Sequence, residues 1–299
     1  MFDTIPSLQC GRWTLKLDAP KIMAVVNVTP DSFSDGGRLG STRQAIEFAL
    51  QAVAQGADML DIGGESTRPD AEPVSVDEEL SRVIPVIEAL AGRVDVPISI
   101  DTSKPEVMRA AVAAGAAFIN DVFALRREGA LQAASDLGVP VCLMHMQGSP
   151  QTMQQDPHYD DVLVQVRQFL TERIFACEMS GMSKKNIVID PGFGFGKRLE
   201  DNLALLANLN YFTQLGVPVL AGVSRKSMIG QITGRALDQR VIGSAAAALI
   251  AVQNGARIIR VHDVAETKDA LAVLAAVQGA VRKDHSRKAS PGIQWPDED

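Results

Sequence analysis

Short apolar runs recur along the chain, and nearly every one carries a polar residue at or near its end. Met23 to Val26 leads to Asn27, Met59 to Gly63 holds Asp61 inside it, and Ile98 to Ile100 leads to Asp101. Phe118-Ile119 leads to Asn120 and Asp121, Val141 to Met144 leads to His145, and Ile187 to Ile189 leads to Asp190. Val219 to Val223 runs into Ser224, Arg225 and Lys226, and Ile258 to His262 carries Arg260 and His262. Short runs of this kind, without alternation, predict strands buried on both faces. Between them, residues 42–55, 76–91, 105–114, 161–178, 202–214, 241–253 and 265–279 show helical periodicity. Gly56, Gly115, Gly138, Gly216 and Gly255 each stand directly before a strand. That is where a left-handed residue turns a finished helix back into a sheet. Pro105 suits the first turn of a helix.

Strand–helix alternation repeated about eight times, with right-handed crossovers, predicts a parallel α/β sheet. Eight units in this length favour closure into a (β/α)8 TIM barrel. An open doubly wound sheet is the alternative. It usually carries a glycine-rich dinucleotide fingerprint after its first strand, and Thr29-Pro-Asp-Ser-Phe-Ser-Asp-Gly-Gly37 does not match one. Residues 1–20 read as an N-terminal segment, with a hairpin around Cys10-Gly-Arg-Trp13 covering one end of the core. Residues 21–282 read as a single barrel domain. Residues 283–299 are polar and aperiodic, and are expected to be a mobile, dispensable tail.

Composition narrows the class. Hydrophobic residues make up 46% of the 299 and aromatic ones 5%, which suits close helix-on-sheet packing. The formal net charge of -7 leaves no basic excess to neutralise nucleic-acid phosphates. No apolar run reaches the roughly 20 residues that span a bilayer, and the first residues lack the apolar core of a signal peptide. Cys10, Cys142 and Cys177 are far apart and lack metal-ligand spacing. They read as reduced thiols of a cytoplasmic protein.

The candidate chemistry centres on Asn186-Ile-Val-Ile-Asp-Pro-Gly-Phe-Gly-Phe-Gly-Lys197. A buried run delivers Asp190 at its tip, and the glycines between Phe193 and Phe195 give a backbone able to approach something flat. Asp190 is either a ligand anchor or a cap for the turn before Pro191. Barrel enzymes place their sites at the C-terminal ends of the strands, and these ends supply Asn27, Asp61, Asp101, Asn120, Asp190, Lys226, Arg260 and His262. So many buried charges need a polar ligand or one another. The acids and amides suit a ligand with adjacent N–H donors. Lys226, Arg260, His262 and Asn27 suit an anionic group, with a metal ligand among them. Two mobile loops, residues 29–40 and 63–69, are expected to fold over a substrate.

Taken together, Asn27 to Gly37, Asp61 to Pro69, Ile100-Asp-Thr-Ser103, Asn120-Asp121, Asp190 to Lys197, Ser224-Arg-Lys-Ser227 and Arg260-Val-His262 resemble dihydropteroate synthase of bacterial folate synthesis. The resemblance covers about residues 21 to 279. Asp70 stands where that family often has glycine. The resemblance implies condensation of 6-hydroxymethyl-7,8-dihydropterin pyrophosphate with 4-aminobenzoate, giving 7,8-dihydropteroate and pyrophosphate. It also implies Mg²⁺, a homodimer and inhibition by sulfonamides.

Carried onto these residues, the resemblance gives Asn27, Asp101, Asp190, Lys226, Arg260 and His262 catalytic roles. Asp61, Asn120, Met144 and Gly222 join them, apart from Asn27, around the pterin pyrophosphate. Phe33, Thr67, Arg68, Pro69, Phe195, Lys226 and Ser227 frame the aminobenzoate, and Asn27 and Asp35 hold the metal. The chemistry agrees: a carboxylate such as Asp190 can accept both a 2-amino group and the neighbouring ring N–H, and the guanidinium of Arg260 can stack on the pterin.

Other polar residues have plainer readings. His145 is expected to pack near the site without touching substrate, and His158 and His285 to lie on the surface. Arg126, Arg127, Lys184 and Lys185 read as solvated charge. Two rival functions remain: the pterin-binding domain of a corrinoid-linked methyltransferase, and a catalytically silent paralogue that binds pterin without turnover.

Overall fold

The computed structural model of the chain describes residues 6–29, 37–66 and 72–285. Strands β1 (Ser7–Cys10) and β2 (Trp13–Lys16) form the expected antiparallel hairpin. The other strands are β3 (Lys21–Asn27), β4 (Met59–Gly63), β5 (Ile98–Asp101), β6 (Phe118–Asp121), β7 (Val141–Met144), β8 (Ile187–Asp190), β9 (Leu220–Ala221) and β10 (Ile258–Val261). They lie in one parallel sheet of eight, in the order β8-β7-β6-β5-β4-β3-β10-β9. A parallel bridge between Ile189 and Val219 joins the two ends, and the Ile189 N–H donates to Pro218 O at 3.0 Å. The sheet therefore closes into a barrel and is not the open alternative.

The helices are α1 (Gly37–Ala54), α2 (Val76–Ala91), α3 (Pro105–Ala114), α4 (Ala130–Leu137), α5 (Val162–Met179), α6 (Leu199–Ala207), α7 (Asn210–Thr213), α8 (Ser227–Thr233), α9 (Val241–Gln253) and α10 (Val264–His285). Gly115 ends α3 at φ 119°, and a Cβ there would lie 2.6 Å from that of Ala91. Only glycine fits both the conformation and the contact.

Three expectations shift. The helix expected at residues 202–214 is two, because the chain turns at Asn208 between α6 and α7. The run after Val219 pairs only at Leu220 and Ala221 before the backbone leaves the ladder toward Arg225, whose φ is 57°. Helix α10 continues through His285, into the segment read as tail. Gly279 does not stop it, and a Cβ at that position would meet nothing within 4 Å.

Residues of a strand alternate between faces, and here the alternation sorts the barrel into layers. Ile22, Leu60, Ile119, Leu143, Ile189 and Ile259 point outward into the helix-packed core. Met23, Met59, Phe118, Cys142, Val188, Leu220 and Ile258 point inward and form an apolar floor with Leu8, Cys10, Leu15 and Leu17 of the hairpin segment. That segment thus plugs the end of the barrel away from the polar strand tips. Two residues beyond the floor, the same strands present Asp61, Asn120, Met144, Asp190, Gly222 and Arg260.

Candidate active site

The polar layer is knitted around Arg260. Its Nε donates to Asp61 Oδ2 at 2.6 Å and its Nη2 to Asp101 Oδ2 at 2.7 Å. Asn120 Nδ2 donates to the same Asp61 oxygen at 3.0 Å. One guanidinium from β10 thereby ties together the tips of β4, β5 and β6. Burial works against the charge on Arg260, but the facing carboxylates outweigh it and hold the group protonated. Burial pushes Asp101 up to about 7, against the pull of Arg260 and with the repulsion of Asp61, Asp121 and Glu79 behind it. Asp61 has no exposed surface, and its Oδ1 has no hydrogen-bond partner among the described residues.

Asp190 caps the turn before Pro191, one of the two readings its position offers. Its Oδ1 accepts the Gly192 N–H at 2.7 Å. Its Oδ2 lies 3.7 Å from where a Cβ on Gly222 would stand, at ordinary contact distance. Burial raises the pKa of Asp190, and the Gly192 N–H and the lysines at 226 and 197 work against it.

Lys226 precedes α8, and its Nζ stands 4.1 Å from the centre of the Phe195 ring. Burial and the nearby Arg260 lower its ammonium to about 8. Phe195 packs with Val122, Met144, Met146 and Met153 into a small apolar wall. His262 is driven down to about 3, first by burial and then by Arg260, Arg225 and Lys226. It is therefore a neutral imidazole, with its Nδ1 3.1 Å from Ser224 Oγ. Ser227 is exposed at the start of α8, beside Lys226. Asn27 ends β3 in register with Gly63, which pairs in turn with Asp101.

The structure thus gathers Asn27, Asp61, Asp101, Asn120, Met144, Asp190, Gly222, Lys226, Arg260 and His262 at the C-terminal end of one barrel, with Phe195 and Ser227 at its rim. Phe33, Asp35, Thr67, Arg68 and Pro69 lie outside the described residues, as do the side chain of His285 and the tail from 286.

The pterin binding enzyme family matches residues 23–262 of the chain. Dihydropteroate synthase of Escherichia coli strain K12 is 52% identical over 267 residues, covering 89% of this chain and 95% of that protein. The Xanthomonas albilineans dihydropteroate synthase structure with 4-aminobenzoic acid superposes with a TM-score of 0.88 at 59% identity, covering 92% of this chain and 99% of that one. The same Xanthomonas enzyme has also been solved with 7,8-dihydropteroate. The Yersinia pestis enzyme in a sulfonamide complex gives a TM-score of 0.88 at 49% identity, over 91% of this chain and 99% of that one. The chain belongs to the dihydropteroate synthases. These are transferases of folate biosynthesis, and the corrinoid-linked reading gives way to that assignment.

Within this dihydropteroate synthase family member, several residues matter more than their sequence surroundings indicate. The glycines after Asp190 bring the backbone close to the chain's own neighbours. A Cβ on Gly192 would lie 1.9 Å from His145 O, and one on Gly196 would lie 2.6 Å from Gln147 O. Phe193 is core, and only Phe195 reaches the mouth. Lys197, at the end of the motif, is buried among carbonyl oxygens. Lys104, before α3, pairs with Glu65 at 2.7 Å and with the fully buried Glu79 of α2. Asp121 accepts from the N–H groups of Phe123 and Leu125 at 2.8 and 2.7 Å, and so holds Ala124 and Leu125 at positive φ. A motif shows that such residues are present, but not which carbonyl or amide they meet.

The plainer readings mostly hold. His145 packs edge-on against Phe169, with ring centres 4.9 Å apart, and burial lowers it to about 2. His158, Lys184 and Lys185 are exposed. Arg126 and Arg127 are not simply solvated, because their guanidinium groups cover Phe169 at 5.1 Å and Phe123 at 4.6 Å.

Proposed function

We propose that the barrel mouth joins 6-hydroxymethyl-7,8-dihydropterin pyrophosphate to 4-aminobenzoate. The observation that carries this reading is the convergence of Asp101, Asn120, Asp190, Lys226 and Arg260 on one rim. Asp190 accepts the 2-amino group and adjacent ring N–H of the pterin, using lone pairs not taken by Gly192. Asn120 and Asp101 read the remaining ring edge. Asp101, near its midpoint at neutral pH, can donate or accept there. Asp61 Oδ1 is a further acceptor without a partner among the described residues. Met144 and Gly222 line the ring, and Lys226 spans between the ring oxygen and Phe195.

In the reaction, the bond from the pterin methylene carbon to the diphosphate oxygen breaks, and a bond to the amine nitrogen forms. The amine then gives up one proton. A neutral aromatic amine is already nucleophilic, so the residues serve to align it, stabilise the departing anion and exclude water. Arg260 and Lys226 supply positive charge. His262, neutral, donates a hydrogen bond to the diphosphate. Phe195, Ser227, Lys226 and the residues Phe33, Thr67, Arg68 and Pro69 frame the aminobenzoate, and the same pocket admits sulfonamides.

The described residues contain no group of three or more His, Cys, Asp or Glu able to hold a metal. Asn27 offers a single neutral oxygen at a strand tip. That donor suits Mg²⁺, which keeps waters and is carried largely by substrate phosphates. Asn27 and Asp35 are the proposed contacts, and the ion would offset charge on the leaving diphosphate. The protein is further proposed to be a cytoplasmic homodimer. Its three cysteines are buried free thiols, and no helix among the described residues is long and apolar enough to cross a membrane. Ile242 and Ile250 on α9 and Val273 and Val277 on α10 expose apolar surface for a second copy.

The deciding assay is pyrophosphate release from the pterin pyrophosphate. Release that requires both 4-aminobenzoate and Mg²⁺ is expected; release independent of the amine, or none at all, would overturn the assignment.

A further inference from the structure

Lys197 is a buried cation that the reaction does not use. Its Nζ lies 2.9 Å from Gly192 O, 3.0 Å from Phe195 O, 3.0 Å from His145 Nδ1 and 3.4 Å from His145 O. An ammonium has three hydrogens, and these four acceptors occupy them all, so none is left for substrate. Burying a charge is costly unless it is paired, and among the described residues the partners of Lys197 Nζ are carbonyl oxygens and a ring nitrogen, with no carboxylate at ion-pair distance. A neutral side chain of the same length would avoid that cost but would leave the carbonyls without a donor.

The carbonyls it holds are specific. They belong to the two ends of the Gly192–Phe195 turn and to the residue after β7 against which that turn packs. Neighbouring contacts secure the same loop: Tyr159 Oη donates to Gly196 O at 2.7 Å, and the Gly194 N–H donates to Asn202 Oδ1 at 2.7 Å. Asp190 needs this clamp less, because the β7–β8 ladder already fixes it opposite Met144. Phe195 has no ladder. Its place beneath the Lys226 ammonium depends on the loop.

We infer that Lys197 is a positioning residue for the arylamine, acting by fixing the Phe195 backbone so that its ring and Lys226 form one wall of that subsite. The inference rests on the proposed role of Phe195 at the aminobenzoate. Burial lowers the Lys197 ammonium to about 7, while the acceptors around its Nζ favour the charged, donating form that the clamp needs.

The test compares Lys197→Met and Phe195→Ala with the wild-type protein by steady-state kinetics and by calorimetry with the pterin. For Lys197→Met, the KM for 4-aminobenzoate should rise about tenfold or more, while pterin affinity changes less than about threefold. Phe195→Ala should show the same split. If Phe195→Ala shows it and Lys197→Met does not, the inference about Lys197 fails and the reading of the subsite stands. If Phe195→Ala leaves the KM for 4-aminobenzoate unchanged, the reading of the subsite fails first. A purely structural lysine would lower the melting temperature without separating the two substrates, and that outcome overturns the proposal. Should Lys197→Met not fold, Tyr159→Phe decides. It removes one adjacent tie, and it should raise the same KM by about two- to fivefold; an unchanged KM counts against the clamp.

Discussion

Arg260 and Asp61 meet at 2.6 Å through Nε and Oδ2, and the carboxylate is closed to solvent. Removing one partner of a buried pair leaves the other charge uncompensated. Asp61→Asn is therefore expected to cost about 3 kcal/mol of stability and to loosen both Asn120 and Arg260. Urea denaturation checks the first effect and kcat/KM the second. A variant as stable and as active as the wild type would show that Arg260 is held by Asp101 alone.

Asp190→Asn replaces an acceptor with an amide that presents a donor to ring N–H groups. Pterin affinity should fall by about 2 kcal/mol, near thirtyfold, with little change in the KM for 4-aminobenzoate. Equal pterin binding by the two proteins in calorimetry would reject the assignment.

Asn27→Ala should lower kcat and flatten its dependence on Mg²⁺ concentration while sparing pterin affinity. A rate and Mg²⁺ dependence like those of the wild type would remove Asn27 from the metal contact.

His145 is held down to about 2, against 6.5 for an unperturbed histidine. Between those values the unfolded chain takes up a proton that the folded one refuses. Its contribution to stability is therefore complete above pH 6.5 and is lost as pH falls. His262 acts in the same sense down to about 3. Asp101, raised to about 7, acts in the opposite sense between its ordinary value and 7. A His145→Gln variant should lose less stability than wild type on acidification, by up to about 1.4 kcal/mol per pH unit. Denaturation curves near neutrality and at about pH 5 measure this, and parallel losses would contradict it.

Ile242 is 83% exposed on α9. If a second copy covers it, Ile242→Glu should shift the protein to the mass of one chain in sedimentation, with the barrel still folded. An unchanged mass would place the interface elsewhere.

The barrel was legible in the sequence because each strand is a short apolar run with a polar tip, and several helices close on a glycine that the geometry requires. The site was legible for the same reason: period-two alternation sets Asp61, Asn120, Asp190 and Arg260 two residues beyond Met59, Phe118, Val188 and Ile258. Partnership was not legible. Nothing local says that Arg260 reaches Asp61 and Asp101 from the far end of the chain, that Lys197 turns inward to three carbonyls, or that Lys104 meets Glu79. Helices α4 and α8 escaped the periodic reading because each is too short, at 8 and 7 residues, to display a face. Helix α10 runs past its expected end because polar residues continue a helix as readily as they end one.

The plug at the base of the barrel has an electrical consequence. With Leu8, Leu15, Leu17 and Phe118 sealing the space beneath Asp61 and Arg260, these charges have no hydration from below. Their field is directed away from this floor, toward the C-terminal ends of the strands and any anion or dipole arriving there. A ligand arriving at the strand tips therefore meets charges backed by hydrocarbon instead of water, where each interaction is screened less than at an ordinary surface.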